Sequence, residues 1–301
     1  MRRIVVSTND DNYLPVAKGL WTSLFEVEAD LGFVDFGSSL QTRRWLDNNT
    51  PRVKVKPIPR VCKDLAAKTQ RSAYQAALLL RPWLPEIFSE YDAILWIDAD
   101  AWLQQDSTVE TFFRAIGEKP DHLAITPASD VAYSPVFEMS PHFVETHIGQ
   151  VFDAFYPEEA MAARCRPLLT CGAFAMHRAS PLWDSWAKEV ERLYGKSWDV
   201  APHVFHVADQ TALNHLAYQT GLVAPLDARH SFIACLGRPQ RNAEGRVVTD
   251  RIDPREIGIV QLAGLADQTV LEWYLRDGLF FDYGRYLTGE DLEALRSLKR
   301  S

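Results

Sequence analysis

The chain lacks any apolar stretch approaching the roughly 20 residues that a membrane-spanning helix needs, and Met1-Arg-Arg is followed by only a few apolar residues before Asn9-Asp-Asp. The expectation is a cytoplasmic protein without a signal peptide. Cysteine is scarce. Its four copies, Cys62, Cys165, Cys171 and Cys235, form no CxxC pair and no zinc-like spacing, so reduced, unpaired thiols are expected. Positive net charge is missing too: the formal charge of -8 disfavours indiscriminate nucleic-acid binding, while a local basic site stays compatible with it. There is no internal repeat and no low-complexity linker. Nor is there a glycine-rich phosphate loop followed by Arg and Lys near the first strand, which argues against a nucleotidyltransferase.

What is present is ordinary globular material, 301 residues of which 47% are apolar and 24% charged, enough to bury a sizeable core. A strand is expected at residues 3–7, then a polar run and a helix from near Pro15 carrying Val16, Leu20, Leu24 and Val27 at helical spacing. Strands at 32–36, 53–58, 94–97 and 122–126 alternate with helices at 42–48 and 68–80, the last ending before Pro82. Strands at 174–176 and 259–262 follow, and Thr288 is placed to cap a terminal helix. This alternation implies an α/β fold with a mostly parallel central sheet flanked by crossover helices. One domain with insertions is preferred over two.

The most informative run is Tyr91-Asp-Ala-Ile-Leu-Trp-Ile-Asp-Ala-Asp-Ala-Trp102. Apolar residues at successive positions mark a strand buried on both faces, and two carboxylates, Asp98 and Asp100, stand at its carboxyl end. Ligands of open α/β sheets bind beyond that edge, where a hard divalent cation can bridge carboxylates to a diphosphate. Taken alone, the pair is more ordinarily a turn cap.

Four blocks occur together: Thr8-Asn-Asp-Asp-Asn-Tyr13, Arg81 seventeen residues before Asp98, Asp98-Ala-Asp100, and Asp209-Gln-Thr-Ala-Leu-Asn214. Their order and spacing resemble glycosyltransferase family eight along nearly the whole chain. The resemblance implies a GT-A type nucleotide-sugar-binding fold and one domain over 1–301, with a nucleotide-binding half at 1–130 and an acceptor-side half with C-terminal helices at 131–301. It further implies a hexosyltransferase that takes its sugar, with retention, from a UDP sugar to an unassigned acceptor. A divalent metal, manganese or magnesium, would assist.

Carried across by position, Thr8, Asp10 and Asn12 would meet the nucleotide base and ribose, and Asp98, Ala99 and Asp100 the ribose and diphosphate. Asp98 and Asp100 would hold the metal. Arg81 would lie beside the donor, its guanidinium forked onto phosphate or sugar oxygens. Asp209 and Gln210 would hold sugar hydroxyls and flank the anomeric carbon. Each has a plainer local reading: an Asx turn for Asp10 or Asn12, a helix-end salt bridge for Arg81, and for Asp209 the N-cap of a helix carrying Leu213 and Leu216. Family members retain configuration by same-face attack in which the leaving phosphate helps deprotonate the acceptor; Gln210 would position or stabilise the sugar cation and cannot act as a general base.

Two departures from the family pattern matter. Its late HxxGxxKPW motif appears as Gln261-Leu-Ala-Gly264-Leu-Ala-Asp267. Gly264 keeps the donor-side frame, and Gln261 takes the place of the metal-binding His, where a carbonyl oxygen can still ligate a hard cation with weaker selectivity for manganese. Asp267 replaces the Lys that touches diphosphate. A carboxylate ~5 Å from a phosphate charge would cost about 3 kcal/mol at an effective dielectric of ~20, so Asp267 is expected to cap the helix through Val270, Trp273 and Leu275 and to point elsewhere. The second departure is Thr170-Cys171-Gly172, where the family has Asn before Ala-Gly.

Lys68, Arg71, Arg229 and Arg238 are candidates to replace the missing Lys. The cluster Arg43, Arg44, Arg52, Lys54, Lys56, Arg60 and Lys63 reads first as solvated surface charge and second as an attractor for an anionic acceptor. His203 and His206 read as hydrogen-bonded or solvated rather than metal ligands. The aromatic-rich stretch 135–166, with Phe137, His142, Phe143, His147, Phe152, Phe155 and Tyr156, suits an acceptor lid, a dimer contact or a hydrophobic subcore. Against turnover stands a binding-only relative that has lost catalysis through Gln261 and Asp267.

Overall fold

The computed structural model describes residues 1–50, 52–68, 78–133, 148–195, 208–237, 239–249 and 252–262. Its first half alternates β1 (Arg3–Ser7), α1 (Leu14–Ser23), β2 (Asp30–Asp35), α2 (Leu40–Asn49), β3 (Val53–Pro57), α3 (Arg60–Lys68), β4 (Ala93–Ile97), β5 (Ala101–Leu103), α4 (Asp106–Glu118) and β6 (Leu123–Pro127). Then come β7 (Leu169–His177), α5 (Leu182–Tyr194), α6 (Ala208–Thr220), β8 (Val223–Pro225), β9 (Phe232–Ile233), β10 (Gln240–Arg241), β11 (Val247–Val248) and β12 (Ile259–Gln261).

Seven strands form the central sheet in the order β3-β2-β1-β4-β7-β6-β8. β7 alone among them runs against the others, pairing antiparallel with β4 and β6, so the mostly parallel expectation holds. Side chains alternate across this sheet: Ile4, Val6, Ile94 and Trp96 face one core, and Val5, Leu95 and Ile97 the other. That period of two is why β1 and β4 are apolar at successive positions. Gly32 of β2 is required by packing, since a Cβ there would come within 2.7 Å of the Phe88 ring.

The helices cover both faces for reasons visible in their residues. α1 carries Pro15 in its first turn, where a missing N–H costs nothing. α2 is capped by Ser39, whose hydroxyl accepts from Thr42 N at 3.3 Å. α5 buries Leu182, Trp183, Trp186, Val190 and Leu193 at three-to-four-residue spacing, and Trp186 meets Phe174 of β7 edge-on at 5.5 Å. Truncating Trp186 to Ala would cost ~3–5 kcal/mol. A smaller sheet has the order β5-β12-β9; Gln261 of β12 lies opposite both Ala101 and Ile233.

Several expectations shift. The helix expected at 68–80 falls mostly outside the described residues; what is described is α3, ending at Lys68, and a 3-10 turn at Arg81–Trp83. β7 is longer than expected because it continues through the small, polar Thr170 and Gly172. The basic cluster is largely neutralised: Arg43 pairs with Asp35, Lys54 with Asp30, Lys56 with Glu90 and Arg60 with Asp64, which supports the surface-charge reading. Phe152, Phe155 and Tyr156 are buried core residues, while Phe137, His142, Phe143 and His147 lie outside the described residues. Cys62, Cys165 and Cys171 are free thiols; burial pushes Cys62 up to about 12. No helix among the described residues is long and apolar enough to cross a membrane.

Candidate active site

β4 ends at Ile97, and the chain turns at once into Asp98-Ala99-Asp100 before reversing into β5. Two backbone bonds fix the turn: Asp98 N donates to Gly172 O at 2.7 Å, and Leu262 N donates to Asp100 O at 2.8 Å. Strand β7 thereby holds the backbone of Asp98, and the residue after β12 that of Asp100.

Arg81 reaches into this edge from the 3-10 turn, its side chain only 4% exposed. Nη2 donates to Asp98 Oδ1 at 2.6 Å and Nη1 to Asp209 Oδ2 at 2.8 Å. Its guanidinium also lies over the Trp96 ring, 5.3 Å from the centroid. Trp96 Nε1 donates to the same Asp98 oxygen at 2.6 Å, and Trp186 Nε1 to Asp209 O at 2.9 Å. Burial works against the Arg81 charge, but Asp98 and then Asp209 more than offset it and raise its pKa. Asp209 sits inside α6, described from Ala208 onward, rather than at its N-cap; its carboxylate pairs with Arg81. The plain salt-bridge reading of Arg81 and its place beside Asp98 therefore coincide.

Asp100 is part-exposed to solvent, yet burial within the protein, followed by the charge of Asp98, pushes its carboxyl up to about 7. A hydrogen bond with the Tyr13 side chain acts in the opposite direction. Two crowded carboxylates, one held near neutrality, are a donor set suited to a hard divalent cation, which takes oxygen ligands. Asp98 would offer the oxygen that Arg81 and Trp96 leave unused. Gln261, only 2% exposed, donates from Nε2 to Ser231 Oγ at 3.3 Å, and its Oε1 presses on Gly172, where a Cβ would approach to 2.9 Å. Among the described residues no three His, Cys, Asp or Glu side chains form a metal-binding group. The residues thus fit a cation held by two carboxylates, with donor or solvent oxygens completing it.

The loop after β1 is braced by its own side chains. Asp10 Oδ1 accepts from Tyr13 N, three residues on, at 2.7 Å, which closes the loop locally where an Asx turn would have bonded two residues on. Asp11 accepts from Ser39 N at 2.9 Å and Thr42 Oγ1 at 2.6 Å, tying the loop to α2. Asn9 accepts from Trp21 Nε1 at 3.2 Å. Thr8 is buried, and its hydroxyl donates to Val34 O at 2.5 Å, so its side chain serves the fold. Asn12 and Tyr13 are left exposed.

Gln210 and Asn214 share one face of α6, four residues apart. Cys171 N donates to Gln210 Oε1 at 2.9 Å. Leu169 N donates to Asn214 Oδ1 at 2.8 Å, and Asn214 Nδ2 donates to Leu169 O at 2.9 Å. Four helical residues rise ~6 Å and two strand residues ~6.6 Å, so successive carboxamides meet alternate backbone groups of β7.

The structure therefore brings Arg81, Asp98, Asp100, Asp209 and Gln210 to one sheet edge, with Ala99 buried between the two carboxylates. Gly264, Asp267, Arg71, Arg238, His203 and His206 lie outside the described residues, as does the side chain of Lys68. Arg229 lies on the 3-10 turn Ala228–Ser231 that leads into β9. Sequence reasoning passed over three residues. Trp96 had a signal, since two positions before Asp98 on a strand is the same face. Tyr13 closes the polar block already singled out. Asn214 had only its place at the end of the late block.

No protein-family model matches the chain, and no curated protein does. Among solved structures, the galactosyltransferase LgtC in complex with donor and acceptor sugar analogs matches at a TM-score of 0.54 and 16% identity, over 99% of this chain and 95% of that one. Mouse xyloside xylosyltransferase 1 in its apo form matches at 0.53 and 13%, over 88% and 98%. The apo bifunctional glycosyltransferase WbbM matches at 0.52 and 15%, over 87% of this chain and 46% of that one. The likeness shows the fold, which is of the GT-A type.

Proposed function

We propose that this chain is a retaining glycosyltransferase that moves a hexose from a UDP sugar to an acceptor hydroxyl, residues 1–130 holding the nucleotide and 131–301 facing the acceptor. The observation that carries the reading is the convergence of Arg81, Asp98, Asp100, Asp209 and Gln210 at the carboxyl end of β4, the edge where ligands of such sheets bind.

Charge explains the need for a metal. Three carboxylates outnumber the single Arg81 guanidinium, so an anionic diphosphate meets net repulsion unless a cation intervenes. Manganese or magnesium on Asp98 and Asp100 would supply that charge and act as a Lewis acid toward the departing diphosphate. Both Nη ends of Arg81 are engaged by carboxylates, so its work is to hold Asp98 and Asp209 in place rather than to fork onto phosphate. Asn12 and Tyr13, exposed on a braced loop, are placed for the nucleotide base and ribose.

In the reaction, the bond from the anomeric carbon to the phosphate oxygen breaks and the acceptor oxygen bonds to that carbon on the same face. The acceptor proton passes to the leaving phosphate. Gln210 and the Asp209 segment flank the sugar from α6, and neither supplies a free carboxylate nucleophile because Asp209 is neutralised by Arg81.

The test is UDP release from a panel of UDP sugars with manganese, with magnesium and with chelator, followed by NMR of the product anomer. Cation-dependent release with retained configuration is expected. Pyrophosphate release from a nucleoside triphosphate would instead make it a nucleotidyltransferase, and donor binding without turnover a binding-only relative.

A further inference from the structure

The pole of the sheet opposite the candidate site carries two adjoining hollows. β1, β2, β3 and β4 run parallel, so their amino ends share one edge, ~16 Å along β4 from its carboxyl end. A cleft of about 420 Å³ opens there among Arg2, Arg3, Glu28, Asp30, Arg52 and Tyr91. A second hollow, of about 320 Å³, is walled by Phe25, Leu31, Thr50 and Arg52. Arg52 lines both, so the two meet at its side chain. Each is of the size of a small-molecule site, ~300–1,000 Å³.

The cations at this pole differ in how far they are neutralised. Arg3 pairs with Glu110 at 2.6 Å and Lys54 with Asp30 at 2.8 Å. Arg52 instead spends Nη2 on two backbone carbonyls, Phe25 O at 2.6 Å and Val27 O at 3.4 Å, and a carbonyl holds a guanidinium without cancelling its charge. Arg2 lies over the Tyr91 ring, 5.0 Å from the centroid. Neither Arg2 nor Arg52 forms an ion pair with a carboxylate among the described residues. The second hollow is apolar where it meets Leu31, which is buried, and Phe25, which is 49% exposed. Uncompensated positive charge therefore stands beside an aromatic surface left in water.

We propose that this pole is a second binding site, for a soluble single-chain anionic amphiphile whose oxyanion head sits on Arg2 and Arg52 and whose alkyl chain lies against Phe25 and Leu31. The two hollows select that class together. An inorganic anion would use the guanidinium groups and leave the apolar wall in water, and a neutral alkane would do the reverse. Glu28 and Asp30 beside the head disfavour a broad anionic surface such as a membrane leaflet, which would bring like charge against both carboxylates. None of the residues at the carboxyl end of β4 is involved, so the site is independent of the glycosyl-transfer reading.

Calorimetric titration of the full chain with alkyl phosphates, in chelator so that no cation draws phosphate to Asp98 and Asp100, tests the site. Lengthening butyl to hexyl phosphate should tighten binding by about tenfold, since each buried methylene is worth about fourfold. Inorganic phosphate and hexanol should each bind about tenfold or more weakly than hexyl phosphate. Arg2→Gln, whose side chain holds no backbone group in place, should weaken hexyl phosphate by about tenfold. Phe25→Ser should flatten the dependence on chain length. Arg52→Gln should do both, and the Arg2 and Phe25 variants decide the matter if the loss of the two carbonyl bonds unfolds it.

No binding of hexyl phosphate at millimolar concentration would overturn the proposal, as would equal affinity for inorganic phosphate, or affinity unchanged in both Arg2→Gln and Phe25→Ser. Displacement of hexyl phosphate by UDP with manganese would move it to the carboxyl end of β4 and overturn the second site. Cosedimentation with vesicles of phosphatidylcholine and phosphatidylglycerol, abolished by Phe25→Ser, would make the occupant a membrane surface and overturn the soluble amphiphile.

Discussion

Arg81 and Asp209 stand 128 positions apart in the chain, and their side chains meet at 2.8 Å beneath the candidate site. The other end of the same guanidinium holds Asp98 at 2.6 Å. One buried cation therefore ties the turn after β4 to α6 and sets the positions of both carboxylates.

Arg81→Ala removes the buried guanidinium that pairs with both Asp98 and Asp209 and should cost ~3–5 kcal/mol in urea denaturation. Arg81→Lys keeps the charge but lacks the planar fork that spans both carboxylates, so it should recover only part of that stability and little activity. Full recovery by Lys would mean that charge alone, without the fork, is what the site requires.

Asn214→Ala strips partners from both the N–H and the carbonyl of Leu169, since its carboxamide serves each of them. A loss of about 1–3 kcal/mol is expected. Thermal melts measure it, and a change within 0.5 kcal/mol, roughly the scatter of surface substitutions, would refute the zipper between α6 and β7.

Gly172→Ala places a Cβ 2.9 Å from Gln261 Oε1 in a buried contact, and should destabilise by ~1–3 kcal/mol. In a Gln261→Ala background the clash disappears, so the two substitutions should couple strongly in a double-mutant cycle. Additivity would separate β12 from the carboxylate turn. Gln261→His should also sharpen the preference for manganese, read as the ratio of manganese- to magnesium-supported donor binding.

His230, whose Nδ1 lies 3.2 Å from Thr108 Oγ1, is pushed down to about 4 by burial and then by the Arg229 charge. Its unfolded value is about 6.5, so the unfolded chain takes up a proton first as pH falls. Stability is fully present above pH ~6.5 and declines toward pH ~4, by up to about 2 kcal/mol after discounting for partial solvent access. Unfolding curves of His230→Gln should be flatter across that window than those of wild type.

Much of this was legible in the residues. β1 and β4 announce themselves because a strand buried on both faces must be apolar at every position, and the two carboxylates after Ile97 follow from sheet-edge chemistry. The pairing of Arg81 with Asp209 was not legible, because nothing local marks a partner 128 positions away. Nor was the Cys171–Gln210 bond: the partner is a backbone N–H, which every residue but proline carries. α5 has Leu182, Trp186, Val190 and Leu193 at helical spacing, a signal present but passed over between the more evident strands. Thr8 looked like a polar loop residue and is instead buried against Val34, since a hydroxyl satisfied by a backbone carbonyl can enter a core.

The central claim is that Asp98 and Asp100 hold a cation that carries a nucleotide diphosphate. Calorimetric titration of UDP and UDP sugars into wild type and Asp100→Asn, with manganese, magnesium or chelator, tests it directly. The account predicts selective uridine nucleotide binding that needs the cation and is lost in the folded Asn variant. Equal binding in chelator, or in Asp100→Asn, would contradict it.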